Sequence, residues 1–210
     1  MKNELLKIFD KTYKEIGVAT RQHVHAVGHW HETFHCWIVG KEKEEYYIYF
    51  QLRSSLKDMY PNLLDITAAG HILANEHMKD GIREVKEEIG LELNYNNLTK
   101  LGVIPYSVKK GNIIDNEFAN VFLVVGEYTF DDFVLQLEEV VGLVKVPFQQ
   151  FYDYSFHRIH SINVTGFKIG ENGEKLNIDE EVSIDKIVPH VPAYYQEIAT
   201  KILEHIERKD

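Results

Sequence analysis

The sequence lacks several features that would each have indicated a particular class of protein. It has a single cysteine, Cys36, in 210 residues, which excludes an internal disulfide and fits a reducing compartment. No apolar run approaches the roughly 18 residues of a membrane span, and the charged N-terminal segment has no apolar stretch of the signal-peptide type. These absences predict a soluble, cytoplasmic protein without a membrane partner, in which Cys36 is a buried structural residue.

Basic residues are also in deficit. Lysine and arginine number 23 against 33 aspartates and glutamates, so the formal net charge is -10. Such a surface repels a phosphate backbone, and we therefore expect no nucleic acid polymer as a partner. Hydrophobic residues make up 44% of the chain, and it contains no internal repeat or low-complexity linker. This composition predicts a single domain over residues 1–210.

Short β-branched and aromatic segments recur along the chain around one strongly patterned helix. The predicted strands are residues 34–39, 46–54, 101–108, 117–126 and 140–146, of which the first two form a hairpin. Residues 1–20 fit either a strand pair or a helix followed by a turn, and a turn is predicted at 171–173. The mixture indicates an α/β layered domain with a core of about 30–150 and a C-terminal helical extension of about 189–208.

The patterned helix lies in the stretch 70–91. Glu84, Glu87 and Glu88 fall at i, i+3 and i+4, so they share one helical face. Apolar residues recur at helical spacing on another arc, which predicts that the helix packs against a sheet while its carboxylates face outward. These apolar residues are Met78, Ile82, Val85 and Ile89. A solvated acidic face is one interpretation; the other is a site for Mg²⁺ or Mn²⁺, which prefer oxygen ligands and would offset the repulsion between the carboxylates.

A second group of polar residues precedes the predicted hairpin. It comprises His23, His25, His29, His31 and His35. Imidazoles are zinc ligands, but no cysteine or carboxylate stands nearby in the sequence at a position that would complete a site. The pattern therefore favours a structural role or contact with a substrate over a zinc site.

Four further charged residues are candidates for the same chemistry. Arg53, at the end of a predicted strand, would either bind a phosphate or be an exposed strand-end residue. Asp115, Glu117 and Glu139 adjoin predicted strands, and each would either bring a further carboxylate to a metal or be an ordinary loop charge.

The stretch 70–91 resembles the box of the Nudix hydrolases, which reads G, five residues, E, seven residues, R-E-U-x-E-E-x-G-U, with U a bulky aliphatic residue. The matching residues are Gly70, Glu76, Arg83, Glu84, Glu87, Glu88, Gly90 and Leu91. The chain departs from the pattern at one place, because six residues instead of seven separate Glu76 from Arg83. That departure leaves the role of Glu76 open.

The resemblance implies a Nudix-type α/β/α sandwich with a mixed β-sheet and the loop-helix-loop of the family. It implies Mg²⁺ or Mn²⁺ as cofactor and hydrolysis of a diphosphate linkage in a nucleoside diphosphate derivative or a related organic diphosphate. Glu84, Glu87, Glu88 and the Gly70 carbonyl are then the expected metal ligands, and Glu84, Glu87 and Arg83 the expected catalytic residues. Such folds are commonly homodimers, so a dimer is expected as well.

A finer resemblance points to the isopentenyl-diphosphate isomerase branch of the same superfamily. It rests on His31 six residues before Trp37, on Ala-Gly-His at 69–71, and on Asp-Asn-Glu at 115–117. His31, His71 and Arg53 are the substrate contacts that we expect. The branch has a catalytic cysteine where this chain has Ala69, and it typically lacks the full set of glutamates. Hydrolysis is therefore favoured over isomerisation, and a third alternative is a non-catalytic domain that binds a ligand.

Overall fold

The computed structural model describes residues 4–208, which form a mixed sheet of eleven strands flanked by helices. The strands are β1 Leu5–Phe9, β2 Glu15–Thr20, β3 Trp30–Glu42, β4 Glu45–Arg53, β5 Leu64–Ile66, β6 Ala68–His71, β7 Thr99–Lys110, β8 Ile113–Gly126, β9 Val140–Pro147, β10 Ser161–Ile169 and β11 Lys175–Ser183. The helices are α1 Arg21–Val27, α2 Arg83–Ile89, α3 Phe148–Ser155 and α4 Pro192–Glu207.

Most of the predicted elements are present. The predicted strands overlap β3, β4, β7, β8 and β9, and β3 pairs with β4 as an antiparallel hairpin. Residues 4–20 contain a strand pair, β1 and β2, instead of a helix followed by a turn. The turn expected at 171–173 joins β10 to β11, and the closing helix is α4.

The sheet is mixed because β3 and β8 run parallel, whereas the other pairs are antiparallel. A main path of strands runs in the order β11-β10-β9-β4-β3-β1-β2, while β8 pairs with β3 and β7 pairs with β8. The early half of β3 pairs with β6, and the later half of β4 pairs with β5. Side chains from all of these central strands can therefore line one cavity.

Side chains of β3 alternate between two buried clusters, as expected for a strand covered on both faces. Trp37 and Val39 pack in a cluster with the apolar residues of α3 and α4. Cys36 and Ile38 pack in the other cluster with Val85 and Ile89 of α2. Helices thus cover both faces of the sheet, which confirms the expected α/β/α sandwich, and Cys36 is buried as predicted.

The helix of the patterned stretch is shorter than its apolar spacing predicts. Residues Met78–Ile82 form a 3-10 helix, and α2 begins only at Arg83. A 3-10 helix rises about 2.0 Å per residue, more than an α-helix does, so it spans a longer distance with fewer residues. The segment between Glu76 and Arg83 can therefore be one residue shorter than in the Nudix pattern and still allow the two side chains to pair. Gly90 ends α2 in the left-handed conformation, with φ 72°.

None of the helices within residues 4–208 has the length and apolar character needed to cross a membrane.

Candidate active site

A cavity of about 850 Å³ opens between the central strands, α1 and α2. Almost all of the candidate residues line it, although they come from four elements and one loop far apart in the chain. Those on its wall are Arg53, Gly70, His71, Arg83, Glu84, Glu87, Glu88, Asp115, Glu117 and Glu139. His31 is buried beside the cavity and is fully inaccessible to solvent.

Arg83 links the acidic residues of the patterned stretch. Its guanidinium donates to both carboxylate oxygens of Glu76, at 2.6 and 3.0 Å, and to the His71 carbonyl at 3.1 Å. One nitrogen, Nη1, also donates to Glu84 at 2.6 Å and to Glu87 at 3.0 Å. Glu76 is therefore the partner that orients Arg83, despite the shortened segment before α2.

The three helix carboxylates occupy different environments. Glu87 is exposed, Glu84 is half-buried and Glu88 is buried, with 4% of its surface accessible. The expectation that all three face outward is therefore wrong for Glu88. The reason lies in its neighbours, because Glu88 Oε2 accepts hydrogen bonds from the Ala69 amide at 3.0 Å and from Gln51 at 3.2 Å.

Burial changes the protonation of two of these carboxylates. It raises the pKa of Glu84 to about 7, although the adjacent Arg83 charge opposes the shift. It raises the pKa of Glu88 to about 8, against the opposing charge of Lys57. Without a bound cation, Glu88 is largely protonated near neutral pH and Glu84 is about half protonated. A divalent cation would replace those protons.

Lys57 brings a positive charge to the same wall of the cavity. Its ammonium pairs with Glu139 and lies 3.9 Å from Glu88 Oε1. Lys57 belongs to the loop between β4 and β5, which has no readable pattern in the sequence. In this arrangement the ammonium partly neutralises the carboxylates that a metal ion would neutralise.

Gly70 leaves room for Glu84. A Cβ at this position would lie 2.5 Å from Glu84 Oε2 and still closer to the carboxyl carbon. Only a residue without a side chain lets the carboxylate approach the β6 backbone. The close approach keeps Glu84 against the backbone of Gly70, the residue whose carbonyl the sequence resemblance offers as a metal ligand.

The crowding at Gly70 predicts a specific coupling. Gly70→Ala should lower the free energy of unfolding by roughly 1–3 kcal/mol, the usual cost of overpacking. In a Glu84→Ala background the same substitution should cost almost nothing, since the clashing carboxyl group is gone. Denaturant unfolding of the four proteins of this cycle measures the coupling. Equal costs of Gly70→Ala in both backgrounds would contradict the contact.

The histidines form a cluster that sequence spacing failed to predict. The rings of His25, His31 and His71 lie with centroids 5.1 to 5.3 Å apart. Their ligand atoms lie within 4.8 Å of one another, and His31 forms a second such group with Asp115 and Glu117. The carboxylates that complete the cluster come from β8, nearly ninety residues away. Carboxylates distant in the sequence thus adjoin the histidines, which the spacing of the histidines alone could not indicate.

Three atoms of this cluster are buried without a hydrogen-bond partner among residues 4–208: His31 Nε2, His71 Nε2 and Asp115 Oδ1. The other ring nitrogen of His31, Nδ1, lies 3.1 Å from the His29 carbonyl, so it carries the proton and leaves Nε2 as an acceptor. Burial and the neighbouring His31 hold the pKa of His71 well below its usual value. His31 Nε2 lies 3.5 Å from Asp115 Oδ1, so an imidazole nitrogen and a carboxylate oxygen face each other in the cluster, a donor set suited to a transition metal.

The sheet register explains how this cluster forms. In the parallel pair of β3 and β8, His31 lies opposite Glu117, and in the pair of β3 and β6, Thr33 lies opposite His71. Tyr106 of β7 faces Glu117 from the other side. Helix α1 packs on β8 and adds His25.

Glu117 is held by several donors. Its Oε2 accepts hydrogen bonds from Thr33 Oγ1 at 2.9 Å and from Tyr106 at 2.8 Å, and it lies 3.3 Å from His35 Nε2. Burial by itself would raise the pKa of Glu117, but the adjacent His35 ring holds that pKa well below its usual value. The carboxylate is thus available as a metal ligand or a base.

Arg53 is not the exposed strand-end residue of the alternative interpretation. Its Nη1 donates to Asp65 at 2.7 Å, and its other nitrogens donate to the carbonyls of Met59 and Tyr60. Asp65 also lies 2.8 Å from His190 Nε2. Arg53 therefore fixes the loop between β4 and β5 on the cavity wall while its side chain remains part of the lining.

The cavity thus contains two sets of metal-ligating groups. The set on α2 has only carboxylate oxygens, which fit Mg²⁺ or Mn²⁺, and the crowded approach at Gly70 allows one of them to reach the β6 backbone. The histidine set has nitrogen and oxygen donors with unpartnered buried atoms, which fit a transition metal. The first set could be predicted because it is local in the sequence, whereas Lys57 beside it and Tyr106 beside the second set were not predicted.

Comparison with known proteins identifies relatives over nearly the whole chain. The chain is 35% identical over 204 residues to an uncharacterized Nudix hydrolase of Clostridium acetobutylicum, an alignment that covers 97% of this chain and 99% of that protein. It is 32% identical over 160 residues to Nudix hydrolase 3 of Arabidopsis thaliana, covering 73% of this chain and 20% of that longer protein. No protein-family model matches the chain.

Solved structures share the fold. DR0079 from Deinococcus radiodurans superposes with a TM-score of 0.53 at 16% identity, covering 73% of this chain and 90% of that one. A MutT/nudix family protein from Enterococcus faecalis gives a TM-score of 0.52 at 13% identity, covering 82% and 62%. At such identities the likeness concerns the fold alone, whereas the full-length relative carries the family assignment. The chain belongs to the Nudix hydrolase family of pyrophosphohydrolases.

Proposed function

We propose that this protein is a divalent-cation-dependent diphosphatase that cleaves the diphosphate linkage of a nucleoside diphosphate derivative or a related organic diphosphate. One observation carries the proposal: the three carboxylates of α2 and the Gly70 backbone meet on the wall of one cavity large enough for a substrate of that size. Glu84, Glu87 and Glu88 would hold Mg²⁺ or Mn²⁺, with the Gly70 carbonyl beside them. When bound, the ion neutralises the diphosphate and lowers the pKa of a water molecule that attacks phosphorus.

The surrounding residues have separate tasks in this proposal. Arg83 orients Glu84 and Glu87 through Nη1 while Glu76 holds the opposite edge of its guanidinium. Lys57 and Arg53 contribute positive charge on the wall facing the substrate. Glu117 is the carboxylate best placed to accept a proton or to complete the histidine set, because its surroundings keep it ionised. Asp115 and Glu139 remain further candidates for these roles, and His31 and His71 for contact with the substrate.

A panel assay tests the proposed function. Nucleotide sugars, dinucleotides, coenzyme A and prenyl diphosphates are incubated with the protein and Mg²⁺ or Mn²⁺, and the products are separated by mass. We expect cleavage between the phosphoryl groups of at least one class, and loss of that cleavage in EDTA. Tight ligand binding with no turnover of any compound would instead indicate the non-catalytic alternative.

An isomerase is the second candidate, and a specific contact favours it. The Tyr106 hydroxyl donates to Glu117 at 2.8 Å within the cavity, which places a hydroxyl donor and a carboxylate acceptor side by side where a substrate would bind. Ala69 stands where the isomerase pattern has its cysteine, so the second proton-transfer group is missing. NMR of the reaction with isopentenyl diphosphate distinguishes the two functions, because isomerisation releases no phosphate.

Metal affinity should depend on pH. Glu84 and Glu88 have pKa values of about 7 and 8, so a cation must displace their protons at lower pH. The apparent affinity for Mn²⁺ should therefore rise from pH 6 to pH 8, by roughly tenfold per unit for each proton released, and level off above that range. Calorimetric titration in two buffers of different ionisation enthalpy measures both the affinity and the proton release. A flat profile with no proton release would contradict the protonated state of these glutamates.

A further inference from the structure

A line of buried polar groups connects the C-terminal helix to Glu117. Tyr194 of α4, His35 and Trp37 of β3 and Glu117 of β8 each have at most 7% of their surface accessible. Trp37 Nε1 donates to the Tyr194 hydroxyl at 3.2 Å, and the same hydroxyl lies 2.9 Å from His35 Nδ1. His35 Nε2 in turn lies 3.3 Å from Glu117 Oε2. The line ends at a carboxylate on the cavity wall.

The chemistry of the partners sets the direction of each hydrogen bond. An indole nitrogen only donates, so the Tyr194 oxygen accepts from Trp37, and among residues 4–208 the acceptor within reach of its own buried proton is His35 Nδ1. With His35 Nδ1 as the acceptor, the ring proton is on Nε2. That proton faces Thr33 Oγ1 at 3.2 Å and Glu117 Oε2 at 3.3 Å.

The surroundings of Nε2 independently require the same tautomer. Thr33 Oγ1 lies 3.2 Å from His35 Nε2 and donates its own proton to Glu117 Oε2. If Nε2 carried no proton, its lone pair would face two acceptor oxygens at close range in a buried site, which is costly. The contacts of both ring nitrogens therefore indicate the same tautomer of His35, with the proton on Nε2.

The arrangement leaves Glu117 with a fixed orientation. Its Oε2 accepts hydrogen bonds from Thr33 and Tyr106 and lies 3.3 Å from His35 Nε2, while no hydrogen bond to Oε1 is found within residues 4–208. The carboxylate is therefore clamped at one oxygen and open at the other. Through His35 the clamp is connected to Tyr194 of α4, which lies almost seventy residues beyond the end of β8 in the chain.

We propose that His35 and Tyr194 are positioning residues for Glu117, and that the C-terminal helix is thereby part of the active-site architecture. The chain of donors from Trp37 through Tyr194 and His35 holds the carboxylate in the orientation in which it serves the cavity. The role of Glu117 as a base or metal ligand rests on the proposed function; the hydrogen-bond directions do not.

Two neighbouring tyrosines provide a matched test. Tyr194→Phe removes the hydroxyl that donates to His35, and Tyr195→Phe removes an equally buried hydroxyl that donates to the Val188 carbonyl at 2.9 Å. With the substrate found in the panel assay, Tyr194→Phe should lower kcat by fivefold to twentyfold and change KM by less than twofold. Tyr195→Phe should leave both constants within twofold. Equal effects of the two substitutions would overturn the proposal.

If Tyr194→Phe does not fold, two substitutions of His35 provide a second comparison. His35→Gln keeps a donor for Glu117, whereas His35→Leu has similar size and no donor. The glutamine variant should retain at least fivefold more kcat than the leucine variant. Equal kcat in the two would overturn the proposal.

The tautomer of His35 can be measured without any substrate. In a ¹⁵N-labelled protein, long-range ¹H–¹⁵N spectra should show His35 with its proton on Nε2, the resonance being identified by its loss in His35→Gln. A proton on Nδ1, or on both nitrogens, would overturn the proposal. If no diphosphate is turned over at all, the proposed function fails while this spectrum still decides the hydrogen-bond chain.

Discussion

The Glu88→Gln variant is expected to remain folded and to lose at least about a hundredfold in turnover, because it keeps the shape of the buried side chain and removes its ability to become a charged metal ligand. Glu88 is largely protonated near neutral pH without a cation, since burial raises its pKa to about 8. A neutral amide therefore suits its site between Ala69 and Gln51. The thermal midpoint of the metal-free variant should equal or exceed that of the unsubstituted protein.

The diagnostic result is a change in the response to metal. Addition of Mn²⁺ should raise the thermal midpoint of the unsubstituted protein and leave that of Glu88→Gln almost unchanged. Glu92→Gln is the matched control, since Glu92 is an exposed glutamate that pairs with Lys86 outside the cavity. It should retain both turnover and the metal response. Full turnover in Glu88→Gln would remove Glu88 from the proposed site.

Arg83→Ala is expected to damage stability and activity together. The guanidinium neutralises Glu76, Glu84 and Glu87, so its removal leaves carboxylates repelling one another on a partly buried surface. The cost should be roughly 2–4 kcal/mol in the free energy of unfolding, as for other hydrogen-bonded ion pairs shielded from water. Turnover should fall at least about a hundredfold, since Glu84 and Glu87 lose their common orienting partner.

An exposed arginine is the control for this effect. Arg158 pairs with Asp153 at 3.0 Å, and 57% of its side chain is exposed. Arg158→Ala should cost less than about 1 kcal/mol and leave turnover unchanged. Denaturant unfolding and the diphosphatase assay measure both quantities. Similar losses of stability in the two variants would show that the Arg83 network contributes no more than a surface ion pair.

The local part of the candidate site could be predicted from the sequence. Spacing within one helix places Glu84, Glu87 and Glu88 together, and Gly90 marks the end of α2. The burial of Glu88 could not be predicted in the same way, because it depends on Gln51 of β4 and the Ala69 amide of β6. The pairing of Arg83 with Glu76 likewise depends on a 3-10 helix that apolar spacing does not distinguish from an α-helix.

The non-local part follows from strand register, which the sequence does not reveal. His31 meets Glu117 because β3 and β8 are parallel neighbours, and His71 joins them through β6. Nothing in the spacing of five histidines before the hairpin predicts which of them reach a carboxylate. The contribution of α4 is harder still to foresee, since Tyr194 appears in the sequence only as an apolar position of an amphipathic helix.

Anomalous diffraction from crystals grown with Mn²⁺ tests the proposed metal site on α2 most directly. We predict a manganese ion coordinated by at least two of Glu84, Glu87 and Glu88 on the wall of the cavity, with Arg83 still paired to Glu76. Density for manganese only among the histidines, or none at all while Arg83 and Lys57 remain bound to the helix carboxylates, would contradict it.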